Sequence, residues 1–183
     1  MDRLLDFIYL LYFGSHIPIA LFADSQAALP AWLYPQQLKD VMDWYTSEYK
    51  DSMMKAKPAW FQSFIFCEIF LQFPFFFVAF YAYFKGVSKN KWIRIPMIVY
   101  STHVVTSLLC IYFHLFLHDF SGEKVPGPQT MQERLTLASF YFPYFIVPVI
   151  LLIDALFHPI YTQKTASPVS STKSKGGKKR KQY

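Results

Sequence analysis

The residues from Trp60 to Phe84 read WFQSFIFCEIFLQFPFFFVAFYAYF. The run is long enough to cross a bilayer, since a spanning helix needs about 20 apolar residues. One residue in it is charged, Glu68, near the middle. A carboxylate at that depth costs at least ~2.5 kcal/mol on insertion scales, so it needs a partner or a proton, and it points to function. Gln72 lies one turn further along the same face, because residues four apart are helix neighbours. Pro74 then removes an N–H and frees the carbonyl of Phe70. The stretch predicts a lipid-embedded helix with an acidic, amide-lined notch turned inward. The same pattern is met, more simply, by Glu68 bonding a neighbouring helix.

Three further apolar blocks accompany this one. The chain is 54% hydrophobic and 20% aromatic, above the roughly 45–50% apolar content of a soluble domain. Long blocks separated by polar segments describe a polytopic membrane protein rather than a globule with one aqueous core. The reading is all-α, a four-transmembrane-helix bundle over residues 1–158 with spans at about 4–23, 60–84, 95–117 and 135–157. Residues 159–183 form a disordered, basic, cytosolic tail. No room remains for a further soluble domain.

The first block competes with a signal peptide. Asp2 and Asp6 beside Arg3, the length of the run, His16 and Pro18 within it, and its end at Asp24 all favour a span. Between Asp24 and Ala59, Pro35 is followed by QQLKDVMDWYTSEY, a helix with proline in its first turn. Leu38, Val41, Met42, Tyr45 and Tyr49 recur along it at helical spacing. This is a short amphipathic helix on the membrane surface, lidding the bundle. Asp51 follows it as a loop acid or a helix cap.

In the third span His103, Ser107, Cys110 and His114 share one helical face, which should turn to the bundle or to another subunit. Histidine and cysteine bind zinc, but the tight spacing of zinc signatures is absent. No metal and no cofactor are expected. Two cysteines, Cys67 and Cys110, both in apolar blocks, make no disulfide framework. Thr130 and Glu133 form a capping box that opens the fourth span. Tyr141, Tyr144 and Pro148 fall on one face of that span, Pro143 and Pro148 should bend it, and Asp154 near its end should pair with a basic residue.

The net charge of +6 is concentrated in the last eleven residues, KSKGGKKRKQY. A nucleic-acid reading needs a basic face on a folded domain, so a tail that touches anionic lipid is the better reading. The tail and the 85–94 loop are basic without compensating acids, and four spans put both on the cytosolic side with the N-terminus.

Five stretches carry a resemblance: GSHIPIALFADSQAALP, WYTSEYKD, PAWFQSFIFCEIFLQFPFFF, KWIRIP and ERLTLASFYFPY. Together, from about Leu10 to Phe157, they resemble the emopamil-binding-protein-like (EXPERA) superfamily in its receptor branch. The resemblance implies a four-helix bundle of the endoplasmic-reticulum membrane, often a homodimer, with the nuclear envelope and lysosome as further addresses. It implies binding of lipophilic cationic amines, oxysterols and cholesterol, a role in cholesterol homeostasis, and a link to the Niemann–Pick sterol transporter. Asp24 would pair with the ligand ammonium and Glu68 would sit against it. Asp51 would match a second essential aspartate with a more structural role. His16, Tyr45, Gln72, Ser107, Tyr141 and Tyr144 would line the cavity. Lys179, Arg180 and Lys181 look like a dilysine-type retrieval signal.

Two close carboxyls in low dielectric cannot both ionise easily and titrate as a unit, so the pair would carry about one negative charge. A hydrophobic ammonium answers it, and tyrosine faces add ~0.5–2 kcal/mol of cation–π attraction. A binding protein without chemistry is thus the main expectation. The runner-up is a sterol isomerase-like enzyme using Asp24 and Glu68 as an acid–base pair. The isomerase of the superfamily has a histidine one turn before its glutamate, where this chain has Phe64. A standalone lipid carrier is disfavoured by the lack of a visible inverted repeat.

Overall fold

The structure is a computed structural model that describes residues 3–162, so the basic tail with Lys179, Arg180 and Lys181 lies outside the described residues. Among the described residues every regular element is helical. Four stretches are long and apolar enough to cross a membrane: Leu4–Ala27, Ala59–Phe84, Lys91–Leu117 and Met131–Phe157. At most 33% of any span's most apolar window is buried. That leaves apolar faces turned outward on every span, as expected where acyl chains rather than water surround the bundle.

The first span is α1, Leu4–Phe22, which runs straight through Pro18. Its start is closed by Asp6, whose Oδ2 accepts from the Arg3 backbone N–H at 3.1 Å. The second span has three parts: α4 (Ala59–Cys67), a π-helical turn (Glu68–Gln72) and α5 (Phe73–Phe84). The third is α6, Arg94–Leu117. The fourth is α7, Met131–Phe157, continuous through Pro143 and Pro148. It begins with the capping box read from the sequence: Thr130 Oγ1 accepts from Glu133 N at 3.2 Å, and Glu133 Oε2 accepts from Thr130 N at 3.1 Å.

Between the first two spans lie α2 (Gln36–Glu48) and α3 (Ser52–Ala56). Pro35 is the N-cap of α2 rather than part of its first turn. Of the expected apolar stripe, Leu38, Met42, Tyr45 and Tyr49 are half-buried and Val41 is exposed, while Thr46 is the residue of α2 that is buried. Lys50 of this segment pairs with Glu133 of α7, which ties the lid to the fourth span.

α1 packs along α5, and α6 along α7. The core where the spans meet is aromatic. Phe13 and Tyr83 are both fully buried, with rings stacked 14° from parallel. The Tyr12 and Tyr100 hydroxyls lie 2.9 Å apart, a buried hydrogen bond between the first and third spans.

The end of the bundle that holds the start of α1 is closed by ions. Arg3 grips Asp154 with two hydrogen bonds, Nη1 to Oδ1 at 2.6 Å and Nη2 to Oδ2 at 2.8 Å, and also reaches Asp6. This is the basic partner expected for Asp154, and it returns the end of the fourth span to the side where the first began. The described residues continue for a short way beyond α7. His158 accepts from Ile160 N, and a 3-10 turn, Pro159–Tyr161, follows. Tyr161 is buried because its hydroxyl donates to Asp154 and is met by that of Tyr83 at 2.8 Å.

Candidate functional site

The opposite end of the bundle holds a cavity of about 380 Å³, within the range of small-molecule sites. Its walls come from all four spans and from α2 and α3. Ile19, Phe61, Phe64, Ile65, Val104 and Leu108 make much of the surface apolar. Against that background three polar side chains converge. His16, Asp24 and Glu68 each place a nitrogen or carboxylate oxygen within 4.8 Å of the others.

Each has a local reason to be there. His16 points inward from α1 and is held by rings: it stacks on Phe76 with centroids 4.5 Å apart and meets Tyr144 at 4.8 Å. Asp24 stands where α1 gives way to the 3-10 turn Asp24–Ala27. Glu68 opens the π-helical turn. Phe73 N–H donates to the Glu68 carbonyl five residues back, the wider ring of a π-helix. Pro74, which has no N–H to give to Phe70, sits just beyond. The turn presents both Glu68 and Gln72 to the cavity, the acidic, amide-lined notch anticipated from the sequence.

The geometry at the acids is tight but incompletely satisfied. His16 Nε2 lies 3.2 Å from Glu68 Oε1, yet that oxygen has no hydrogen-bond partner, and neither has the buried His16 Nδ1. One turn on from Glu68, Gln72 Nε2 lies 3.2 Å from His103 Nδ1, and Ser107 donates to the His103 carbonyl at 3.0 Å. Tyr45, Tyr141 and Tyr144 close the wall on the other side, with Phe140 at the rim.

Of the ligand-binding residues named from the sequence, all but one line this cavity. The exception is Asp51, which is fully buried outside the wall. Its Oδ1 accepts from Met54 N at 3.1 Å as the N-cap of α3, and its Oδ2 accepts from the Tyr141 and Tyr45 hydroxyls at 2.7 and 3.2 Å. Burial pushes the Asp51 carboxyl up from its ordinary value, with these hydrogen bonds pulling against it. Burial likewise pushes the Tyr45 phenol up, and the neighbouring Asp51 adds to this. Asp51 therefore belongs beside the site rather than in it: it holds two tyrosines that line the wall.

The His103–His114 face divides. Ser107 reaches the cavity and His103 bonds Gln72, but Cys110 is exposed and His114 packs on Trp60. Trp44 on α2 and Phe140 on α7 also line the cavity. Sequence reasoning missed both. Trp44 falls off the apolar stripe of its helix, and nothing in the spacing of α7 separates Phe140 from lipid-facing neighbours.

The site is thus an inward acid in an apolar cavity, within a four-span bundle and beneath α2 and α3. Residues 37–155 match the model of EBP, described as EXPERA (EXPanded EBP superfamily), and the chain belongs to that family of multi-pass membrane proteins. Over 162 residues it is 53% identical to Sigma intracellular receptor 2 of Xenopus tropicalis, covering 88% of this chain and 94% of that protein. It is 48% identical to Sigma intracellular receptor 2 of Homo sapiens, covering 87% and 91%. It is 32% identical over 152 residues to Efficient mitochondria targeting-associated protein 19 of Saccharomyces cerevisiae, covering 77% and 91%. The receptor branch read from the five motifs is the branch of the vertebrate relatives.

Proposed function

We propose that this membrane receptor binds lipophilic cationic amines and sterols, oxysterols and cholesterol among them, and serves cholesterol homeostasis. One observation carries the reading: Asp24 and Glu68 meet beside His16 in a cavity that is otherwise mostly apolar. Two carboxyls so close share a proton. Asp24 then pairs with the ammonium, and one of the two acids keeps the proton. The flat, oily remainder of the guest lies against phenylalanine, tyrosine and aliphatic side chains, and Gln72 and Ser107 offer hydrogen bonds to its polar groups.

The test is binding of a radiolabelled lipophilic amine to wild type, Asp24→Asn and Glu68→Gln. Asp24→Asn should abolish binding at neutral pH. Glu68→Gln, which mimics a protonated acid, should keep it. Unchanged affinity in Asp24→Asn removes the assigned anion and overturns the reading.

The carboxyl pair is also the observation that favours the second reading, a sterol isomerase-like enzyme with Asp24 and Glu68 as acid and base. Phe64 on the cavity wall counts against it, because that reading expects a basic ring one turn before Glu68. Incubation with a Δ8-sterol decides: turnover lost on Glu68→Gln would establish the enzyme.

By family likeness, the setting proposed is the endoplasmic-reticulum membrane with both termini cytosolic, Lys179, Arg180 and Lys181 as the retrieval signal, a homodimer, and the Niemann–Pick sterol transporter as partner.

A further inference from the structure

We propose that His16, Asp24 and Glu68 also form a binding site for a divalent transition-metal ion of the zinc class, and that the ion and the ammonium exclude one another. Metal binding stands on its own geometry; the exclusion rests on the amine reading above.

The donor set is the first argument. One imidazole nitrogen and two carboxylates, all within 4.8 Å, come from separate parts of the bundle: α1, the turn after it, and the π-helical turn. Zinc takes three such ligands at about 2.0–2.2 Å and leaves a fourth position open in catalytic-type sites. Tetrahedral donors at those bond lengths stand about 3.3 Å apart. His16 Nε2 and Glu68 Oε1 stand 3.2 Å apart already. Asp24 closes the remaining gap by turning its carboxylate. The fourth position faces the cavity, open to water or to a guest.

The second argument is that the hydrogen-bonding capacity of these side chains is not used up. Glu68 Oε1 has no hydrogen-bond partner despite the nearby ring nitrogen. The His16 side chain is 7% exposed, its Nε2 lies 3.2 Å from the Glu68 carboxylate, and its Nδ1 has no hydrogen-bond partner. Buried polar atoms left in this way are uncommon and call for an explanation. A cation held by His16 Nε2 and the carboxylates gives Glu68 Oε1 its missing partner.

Charge and ligand type narrow the ion. A dication displaces the proton the two acids share when the site is empty or holds an ammonium, and is then met by both carboxylates. Calcium wants six to eight oxygens and copper(I) wants sulfur, so a mixed nitrogen and oxygen set favours zinc and its neighbours. The stripe of His103, Cys110 and His114 is not a competing site, since His103 is engaged by Gln72 and Cys110 faces outward. The bare His16 Nδ1 also sets the strength. A metal-bound histidine normally donates its other N–H to an acceptor, and losing that contact weakens binding by roughly 10–100-fold. The site should therefore hold an exchangeable ion rather than a structural one.

The experiment uses the purified full chain in detergent after chelator treatment. Co²⁺ is titrated while visible d–d absorption is recorded, and Zn²⁺ is titrated against a radiolabelled lipophilic amine. Wild type should show Co²⁺ bands of a low-coordinate nitrogen and oxygen site, and adding amine should erase them. Zn²⁺ at about ten times its own Kd should weaken apparent amine affinity about tenfold, by simple competition. His16→Phe, which keeps the ring stack and removes the donor, and Asp24→Asn should both lose the bands. Absent bands in wild type that still binds amine overturn the metal proposal and leave the amine reading standing. Bands that persist in His16→Phe, or that amine does not disturb, overturn it as well. If wild type binds no amine, the receptor reading fails, and the Co²⁺ titration still decides the metal.

Discussion

Tyr141 donates its hydroxyl hydrogen to Asp51 Oδ2 at 2.7 Å, across 90 positions of sequence. One carboxylate thereby caps the lid helix α3, anchors Tyr45 of α2 and fixes a wall residue of α7. Replacing Asp51 with alanine removes the cap, worth about 0.5–2 kcal/mol, and leaves two buried hydroxyls unpaired, about 1–3 kcal/mol each at most. Asp51→Ala should lower the thermal midpoint in detergent and weaken amine binding together. Asp51→Asn, which still offers an acceptor to Met54, should recover part of both.

Arg3 stands between two buried acids at the other end of the bundle. Asp6 is fully buried, and the Asp154 side chain is 5% exposed. Removing one partner from a buried ion network strands charge and costs about 3–5 kcal/mol. Arg3→Ala should therefore destabilise the protein strongly although it lies far from the cavity. Thermal unfolding of Arg3→Ala beside Arg3→Lys measures it; a loss below about 1 kcal/mol would mean that water already reaches the acids.

Gly14 sets how near α1 comes to α5. A Cβ there would lie 3.0 Å from Phe80 Cε2. Phe80 is 36% exposed and can swing toward lipid, so Gly14→Ala should be close to neutral. Gly14→Leu cannot be absorbed that way and should cost about 1–3 kcal/mol, the usual range for overpacking. The two variants are compared by their thermal midpoints.

The π-helical turn carries one residue more than an α-helix needs. Deleting Phe70, which is 67% exposed, should return the segment to α-helix and leave Glu68 three positions before Gln72 instead of four, re-aiming the acid against the amide. The variant should still insert, by protease protection, and should lose amine binding. Retained affinity would show that the extra residue does not aim the acid.

Much of the architecture could be read from residue order. The spans follow from length and hydropathy, and the start of α7 from Thr130 and Glu133. The pairing of Asp154 follows from the expense of a lone acid in a span. The site was legible only in part. Glu68 stood out as the lone charge in its run, but its meeting with Asp24 depends on how α1 rotates against the second span, and that came through resemblance. The π-helical turn was hidden because Pro74 announces a lost N–H without saying how the helix absorbs it. The bonds from Tyr12 to Tyr100 and from Tyr83 through Tyr161 to Asp154 were hidden for the same reason: a tyrosine declares a hydroxyl, not its partner. Cys110 shares a helical face with Ser107 yet points outward, because only part of that face meets another helix.

The cavity draws its wall from every span and from the lid, so no partial assembly of the chain possesses it. Whatever fills it favours the finished bundle over each half-built one. A guest at 100 times its dissociation constant adds about 2.7 kcal/mol to that preference. Newly made copies would then escape quality control more often in cells supplied with a fitting compound. Abundance itself becomes a readout of occupancy, before any downstream signal is known.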